Sequence, residues 1–430
     1  MRTFCPITCA VSKCVLGGTL KVRHRGYATP EDTSAFAKRW ASRAAKSQGH
    51  GESVREESLT RHFRKHILGG GLVLSSLGVG TYLGDMDART DDKVAAAVIA
   101  SVVAGWNVID TASNYRWGRA ESSIGSALDS LLAGAKASEF LQEGGISLDV
   151  VRAMLFISTK VGFTDEALVR QLVQAGTMTR REVVSGHSLS PAYINASLAV
   201  SLERLNLETV DLLYLHNPAE MQLKQLGRSG FMSKLKEAFK ALESLRAAGL
   251  IRHYGIASWD CFRLPPSDPG HLSLQDVAAL AKEVAGPDNG FTAIQLPVSA
   301  AMHEAWSQPW QAVGNGTGTL MAAADALGLA VFTSGPLGEG DLLKRLTSRL
   351  DAVVQLRAAT TSAQKLLQLA RSTPGRSMVA ALVGHKTREF VVSNSQLARV
   401  EPLAEVDFRA AMESVKAVLE RESGSQGGAV

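Results

Sequence analysis

The 430-residue chain predicts an α/β fold, a TIM (β/α)8 barrel with an N-terminal hairpin and loop insertions, and three observations carry that expectation. Eight short apolar runs follow one another between residues 77 and 384, each separated from the next by a segment of helical character. The runs are apolar almost throughout instead of alternating, as strands buried on both faces are. No Gly-x-Gly-x-x-Gly follows an early run, which disfavours the alternative, a doubly wound dinucleotide-binding sheet.

The elements read in order as follows. ILGGGLVLSSLGVGTYL predicts a short hairpin and then a first strand over 77–83. DDKVAAAVIASVVAG has an acidic start and ends on Gly105, which suits a helix closed by a left-handed glycine. NVIDTA is the second strand, and RAESSIGSALDSLLAG is a helix ending near Gly134. MLFISTKV (154–161) and VDLLYLHN (210–217) are strands flanking the helix SPAYINASLAVSLERLN. The amphipathic helix SKLKEAFKALESLRAAG leads to strand LIRHYGIAS (250–258), and LQDVAALAKEVAG leads to FTAIQLPV (291–298). TLMAAADALG then leads to LAVFTSG (329–335), and AQKLLQLARST to MVAALVG (378–384) before the last helices. The barrel domain is expected over 63–425. Three stretches exceed ordinary connections, at about 135–152, 162–190 and 299–316. The last two leave the upper face of strands three and six, where long loops build pockets or lids; the first reads as a surface insertion. GNGTG (314–318) lacks the Lys-Ser/Thr ending of a phosphate loop and reads as a flexible turn before a helix.

Composition narrows the function. At 45% hydrophobic and 20% charged the chain has a globular composition, and its longest apolar stretch, VAAAVIASVVAG, is too short to cross a membrane. Residues 1–27 hold Arg2, Lys13, Lys21, Arg23 and Arg25 and no acid, so the remainder has 41 basic residues (46 less these five) against 41 acidic. A neutral body gives no support for nucleic-acid binding. Three of four cysteines also lie in that leader, leaving Cys261, so neither a disulfide framework nor a cysteine zinc site is expected. An acid-free leader with arginines and small polar residues, ending in RHRGYAT, predicts a mitochondrial transit peptide over 1–27 cleaved after Tyr27. A chloroplast peptide and a disordered cytoplasmic extension are the alternatives. Residues 28–62, polar and alanine-rich, are expected as a linker or partly helical arm.

The chemistry sits where apolar runs stop. Asp110, Lys160 and His216 close or nearly close three successive strands, and Tyr115 follows Asp110 by five residues. Residues at the carboxyl ends of barrel strands converge on one mouth. A tyrosine acid, a lysine beside it, a carboxylate for the lysine and an imidazole form a proton-transfer set. Singly, each has an ordinary explanation: a structural Asp–Lys pair, a satisfied core histidine, a packed tyrosine. Together, on three consecutive strands, they point to carbonyl reduction. No His, Cys and carboxylate cluster has metal-ligand spacing, so no metal is expected.

DTASNYRWGRAESSIG, FISTK, SLERLNLETVDLLYLHNP and GLIRHYGIAS together resemble the aldo-keto reductase family over roughly residues 66–400, most nearly a poorly characterised branch with a long loop after strand three. The resemblance implies NADP(H) as cofactor, with NAD(H) as the alternative, and a small carbonyl substrate. It implies Tyr115 as general acid, Lys160 lowering its pKa, Asp110 holding Lys160, and His216 orienting the carbonyl. It carries cofactor contacts onto Gly80, Thr81, Ser258, Gln295, Ser334, Leu337, Gly384, Lys386 and Asn394. Of these, Lys386 suits a 2′-phosphate, although a single lysine also reads as a solvated surface charge. Tyr82 and Trp117 are the expected substrate walls, while Trp306 and Trp310 are expected to pack their loop and, alternatively, to close the site. Trp259, Ser393 and the Arg116–Trp117 pair depart from the family pattern. A second reading is a cofactor-binding accessory subunit, docked to a partner protein through the arm 28–62 or the segment after Pro402.

Overall fold

The computed structural model describes residues 23–46, 61–66, 68–132, 148–345, 354, 356 and 359–426. An antiparallel hairpin of β1 (Phe63–Lys65) and β2 (Val73–Ser75) precedes the barrel. The barrel strands begin with β3 (Leu77–Gly80), β4 (Val108–Asp110), β5 (Phe156–Val161) and β6 (Val210–His216). β7 (Ile251–Ala257) and β8 (Phe291–Pro297) follow, then an outer hairpin of β9 (Gln311–Val313) and β10 (Gly316–Gly318). β11 (Ala330–Ser334) and β12 (Met378–Gly384) complete the set. Strands β3 to β8, β11 and β12 pair in parallel in that order, and β12 returns to β3 to close an eight-stranded barrel. The fold is the expected (β/α)8 barrel.

Side-chain alternation along each strand decides what faces the interior. Val108, Phe156, Leu212, Tyr214, Ala293, Ala330, Phe332, Ala380 and Leu382 form one buried cluster inside the barrel. Phe156 and Phe332 stack there with ring centroids 5.5 Å apart. Their neighbours Ile109, Ile157, Leu213, Leu215, Ile294, Val331 and Val383 belong to the layer between strands and helices. Carrying the inward parity towards the carboxyl ends reaches Asp110, Ser158 and Lys160, His216, Gln295, Ser334 and Gly384. The functional candidates are therefore the top inward positions of a packed barrel.

Beside the hairpin lies part of the stretch expected as a linker or partly helical arm, and its described part is helical. Residues Pro30–Lys46 form a helix with proline at its first turn and Glu31 and Asp32 there, favourable for the helix dipole. Phe36, Ala37, Trp40, Ala41 and Ala44 recur at helical spacing and are buried. Phe36 and Trp40 pack on Phe63 with centroids 6.0 and 5.8 Å away. Alanines make up most of that stripe, so its period is faint in the sequence. The remainder of the arm, 47–60, lies outside the described residues.

Of the expected leader, residues 1–22 lie outside the described residues, and 23–27 pack on the barrel. His24 pairs with Asp129 at 2.6 Å and Arg25 with Glu208 at 3.1 Å, and the Arg252 guanidinium lies 3.9 Å from the Tyr27 ring centroid. The boundary expected at Tyr27 thus falls inside a docked stretch.

The long connections have structure of their own. The 162–190 stretch contains a helix, Glu166–Gln174, capped by the Asp165 carboxylate, with a small core of Leu168, Val169, Leu172 and Met178. Within 299–316, GNGTG belongs to the β9–β10 hairpin and not to a simple turn, because left-handed Gly314 (φ 58°) fits a two-residue hairpin loop. Most of the 135–152 stretch lies outside the described residues. The C-terminal helix Glu405–Gln426 buries Phe408, Met412 and Val415 against the barrel, and Phe408 meets Trp306 at 5.1 Å. No described helix is long and apolar enough to cross a membrane.

Candidate active site

Asp110 ends β4 and is buried at 3% exposure. Its Oδ2 accepts from Lys160 Nζ at 2.5 Å, and its Oδ1 accepts from Ser158 Oγ at 2.7 Å and Gln295 Nε2 at 2.9 Å. Lys160 Nζ also donates to the Thr111 carbonyl at 2.7 Å and lies 4.7 Å from the centre of the Tyr115 ring. Burial alone would lower the lysine pKa, but Asp110 and then Tyr115 outweigh it and the net shift is upward. The pair is a desolvated charge pair in which each partner makes further hydrogen bonds, the arrangement in which a buried ion is tolerated.

Tyr115 reaches this pair from the turn after β4. Ser113 N–H donates to the Lys160 carbonyl, tying the turn to β5. Beyond Tyr115, three successive residues, Arg116, Trp117 and Gly118, have left-handed φ of 51°, 57° and 83°. Such a run is strained and needs anchors. Arg116 provides one: its buried guanidinium donates to the Asp85 carbonyl at 2.9 Å and pairs with Asp91 at 2.5 Å. Gly118 provides the other, because a Cβ there would lie 2.2 Å from Arg204 Nη1. Of the two residues inserted after the tyrosine, Arg116 is thus part of what holds the turn.

The Tyr115 ring sits edge-on to Tyr82 at 5.0 Å and to His216 at 5.7 Å. Burial pushes its pKa up; Lys160 opposes this and Asp110 adds to it, so the net direction is upward. Lys160 acts downward on the phenol, in the expected direction, while desolvation is the larger effect. His216 is driven well below the usual histidine value by burial, then by Lys160 and His187, and is a neutral imidazole. Its Nδ1 is buried with no hydrogen-bond partner among the described residues. A protonated phenol beside a neutral imidazole can deliver a proton and a hydrogen bond to one oxygen.

A cleft of about 710 Å³ opens above these groups. It is lined by Gly80, Thr81, Tyr82, Asp110, Tyr115, His216, Ser258, Gln295, Ser334, Leu337, Gly384, Lys386 and Asn394. Those are the residues expected from sequence, save two. Lys160 lies beneath the floor, fully buried. Trp117 is 73% exposed and does not line the cleft. Trp306 is buried against Phe408 and His303, so it packs its loop and does not close the cleft, and Trp310 is not in the lining either. Sequence reading missed Leu83, Asn114, Phe163, Asn217, Leu343 and Phe390. Leu83, Asn114, Phe163 and Asn217 lie within four residues of a strand end, which could have signalled them, whereas Leu343 and Phe390 lie farther along the chain.

The cleft is long enough to reach from Tyr115 to Lys386 and Asn394, and its features suit a dinucleotide. Along it, Gly335, Gly338, Glu339 and Gly340 adopt left-handed φ, a backbone form that makes anion-binding concavities. Gly80 and Gly384 are paired neighbours at the ends of β3 and β12. Ser258 Oγ is held by Glu220 Oε1 at 2.6 Å. No group of three or more metal-ligating side chains occurs among the described residues.

Similarities to known proteins agree with this geometry. The chain is 31% identical over 195 residues to D-threo-aldose 1-dehydrogenase of Pseudomonas sp, covering 44% of this chain and 51% of that protein. It is 26% identical over 194 residues to the NADH-specific methylglyoxal reductase of Escherichia coli (strain K12), covering 44% and 50%. The chain spans about half the length of these curated relatives. An aldo/keto reductase from Klebsiella pneumoniae, solved with NADP and acetate, has the same fold at TM-score 0.54 and 20% identity, over 82% of this chain and 95% of that one. The holo form of an aldo-keto reductase from Bacillus halodurans superposes at TM-score 0.55 with 20% identity, over 83% and 97%. Residues 76–264 match the model of the aldo/keto reductase family, and that stretch of the chain is similar to its members.

Proposed function

We propose that the chain is an NADPH-dependent reductase of a small aldehyde, ketone or aldose. The observation that carries this reading is the convergence of Tyr115, Lys160, Asp110 and His216 at the mouth of a cleft that continues to Lys386. Bound NADPH supplies hydride to the carbonyl carbon. Tyr115 donates its phenolic proton to the carbonyl oxygen as charge develops there. Lys160, kept charged by Asp110, limits the cost of the phenolate left behind. His216, uncharged, gives that oxygen a hydrogen bond and so fixes its position between imidazole and phenol. Ser258 and Gln295 hold the nicotinamide amide group, while Gly80, Thr81, Ser334, Leu337 and Gly384 line its path and Asn394 meets the adenine. Lys386 takes the 2′-phosphate, which favours NADP(H); the NADH-specific relative keeps NAD(H) open for comparison. Tyr82, half-exposed beside Tyr115, is the substrate wall.

The accessory-subunit reading is weaker, because helix 30–46 and the helix after Pro402 both spend their apolar faces on their own barrel. Purified protein tests the reading: it should oxidise NADPH in the presence of a panel of aldehydes and sugars, and faster than NADH. Tight NADPH binding with no turnover on any carbonyl would favour the accessory role.

A further inference from the structure

The insertion after β5 sets against His216 a residue that the proton-transfer set does not include. His187 is fully buried at the end of that insertion, where it exchanges backbone hydrogen bonds with Val184. Its Nε2 lies 2.9 Å from the carbonyl oxygen of His216, and its Nδ1 lies 2.9 Å from Gln222 Nε2. An amide nitrogen of glutamine only donates, so Nδ1 is the acceptor and the ring proton is on Nε2, aimed at the His216 carbonyl. The contact needs Gly162, because a Cβ there would stand 2.2 Å from His187 Nε2. One further ring joins the two histidines: Phe163 meets His187 edge-on at 5.6 Å and His216 at 5.0 Å.

The place of this contact matters. His216 is the last residue of β6, and Asn217 turns left-handed (φ 50°) as the chain leaves the barrel. Strand pairing ends there, and the His216 ring itself has no partner on Nδ1. What remains to fix its orientation is the backbone that carries it and the Phe163 and Tyr115 faces around it.

Building on the reductase reading above, we propose that His187 is a positioning residue for His216: its Nε2–H clamps the His216 carbonyl, and Gln222 locks the tautomer that allows this. The long insertion is thus a supporting brace for the imidazole facing Tyr115. A small displacement of such a group costs one to two powers of ten in rate.

A double-mutant cycle tests it. His187→Ala should lower kcat about tenfold to hundredfold with KM for NADPH unchanged, and His187→Gln, which keeps a donor, should recover much of the loss. In a His216→Ala background, His187→Ala should cost nothing further. An equal loss in both backgrounds would show mere destabilisation of the fold and overturn the proposal, as would wild-type kcat in His187→Ala. If His187→Ala does not fold, Gln222→Leu, which frees the tautomer, replaces it in the same cycle with the same criterion. A readout independent of turnover is the nitrogen-15 imidazole spectrum of the ligand-free protein. The His216 signals should shift or broaden in His187→Ala and stay near wild type in His187→Gln; unchanged signals in both would overturn the brace whether or not the wild type reduces carbonyls. Absence of wild-type turnover alone would instead sink the reductase reading.

Discussion

Tyr115 is a phenol kept protonated by burial while a lysinium stands 4.7 Å from its ring. The acid needed for reduction is therefore present across the neutral range, and the lysine bears on the product side of proton transfer. The sign of the pH dependence follows. With the Tyr115 shift upward and the His216 shift downward, neither group titrates near neutrality, so kcat/KM for reduction should stay level from about pH 6 to about 9 and fall only beyond. A steady-state profile that fell between about pH 7 and 8 would contradict it. At the far end of the cleft, Lys386→Ala should raise the NADPH Kd about tenfold and leave NADH within about twofold, since only the former loses a charge-assisted contact. Isothermal titration with each cofactor decides this. The tetrad was legible in the sequence because strand ends mark it. His187, Arg116 and Phe163 were not, because their partners (the His216 carbonyl, Asp91, two imidazole rings) are far away in the chain.

Among the elements, the eight strands were readable because each is a short apolar run between helical periods, and their boundaries fell within a few residues. The N-terminal helix was readable only as one of two alternatives, a partly helical arm beside a linker. Its stripe of Phe36 and Trp40 is filled out by Ala37, Ala41 and Ala44, which are buried but count little as apolar signal, while Trp40 meets Phe63 and Gly105. Trp40→Ala should thus destabilise the fold by about 3 kcal/mol, the usual cost of emptying a buried aromatic site. Because no residue of this helix lines the cleft, KM for NADPH should not change. Urea unfolding monitored beside steady-state kinetics separates the two quantities. Loss of cofactor affinity with intact stability would mean that the helix serves the site instead.

At the scale of the molecule, the barrel buries several histidines in neutral form. His62 is held near 3, and His66, His187, His253 and His385 near 4, burial being the main cause for each. Between about 4 and the unfolded value of 6.5 the unfolded chain binds protons that the native state does not, so stability falls as pH falls through that window. At pH 5 one such histidine alone accounts for roughly 2 kcal/mol. Urea midpoints measured at pH 7.5 and pH 5 should therefore drop sharply on acidification, and equal midpoints would contradict the neutral assignments. The whole arrangement, a packed barrel with chemistry on its last inward layer, comes down to one phenol. The most direct measurement is turnover and NADPH binding by Tyr115→Phe beside wild type. The geometry predicts that kcat falls by at least about a hundredfold while NADPH fluorescence quenching keeps its wild-type Kd; a variant that reduces carbonyls at the wild-type rate would contradict it.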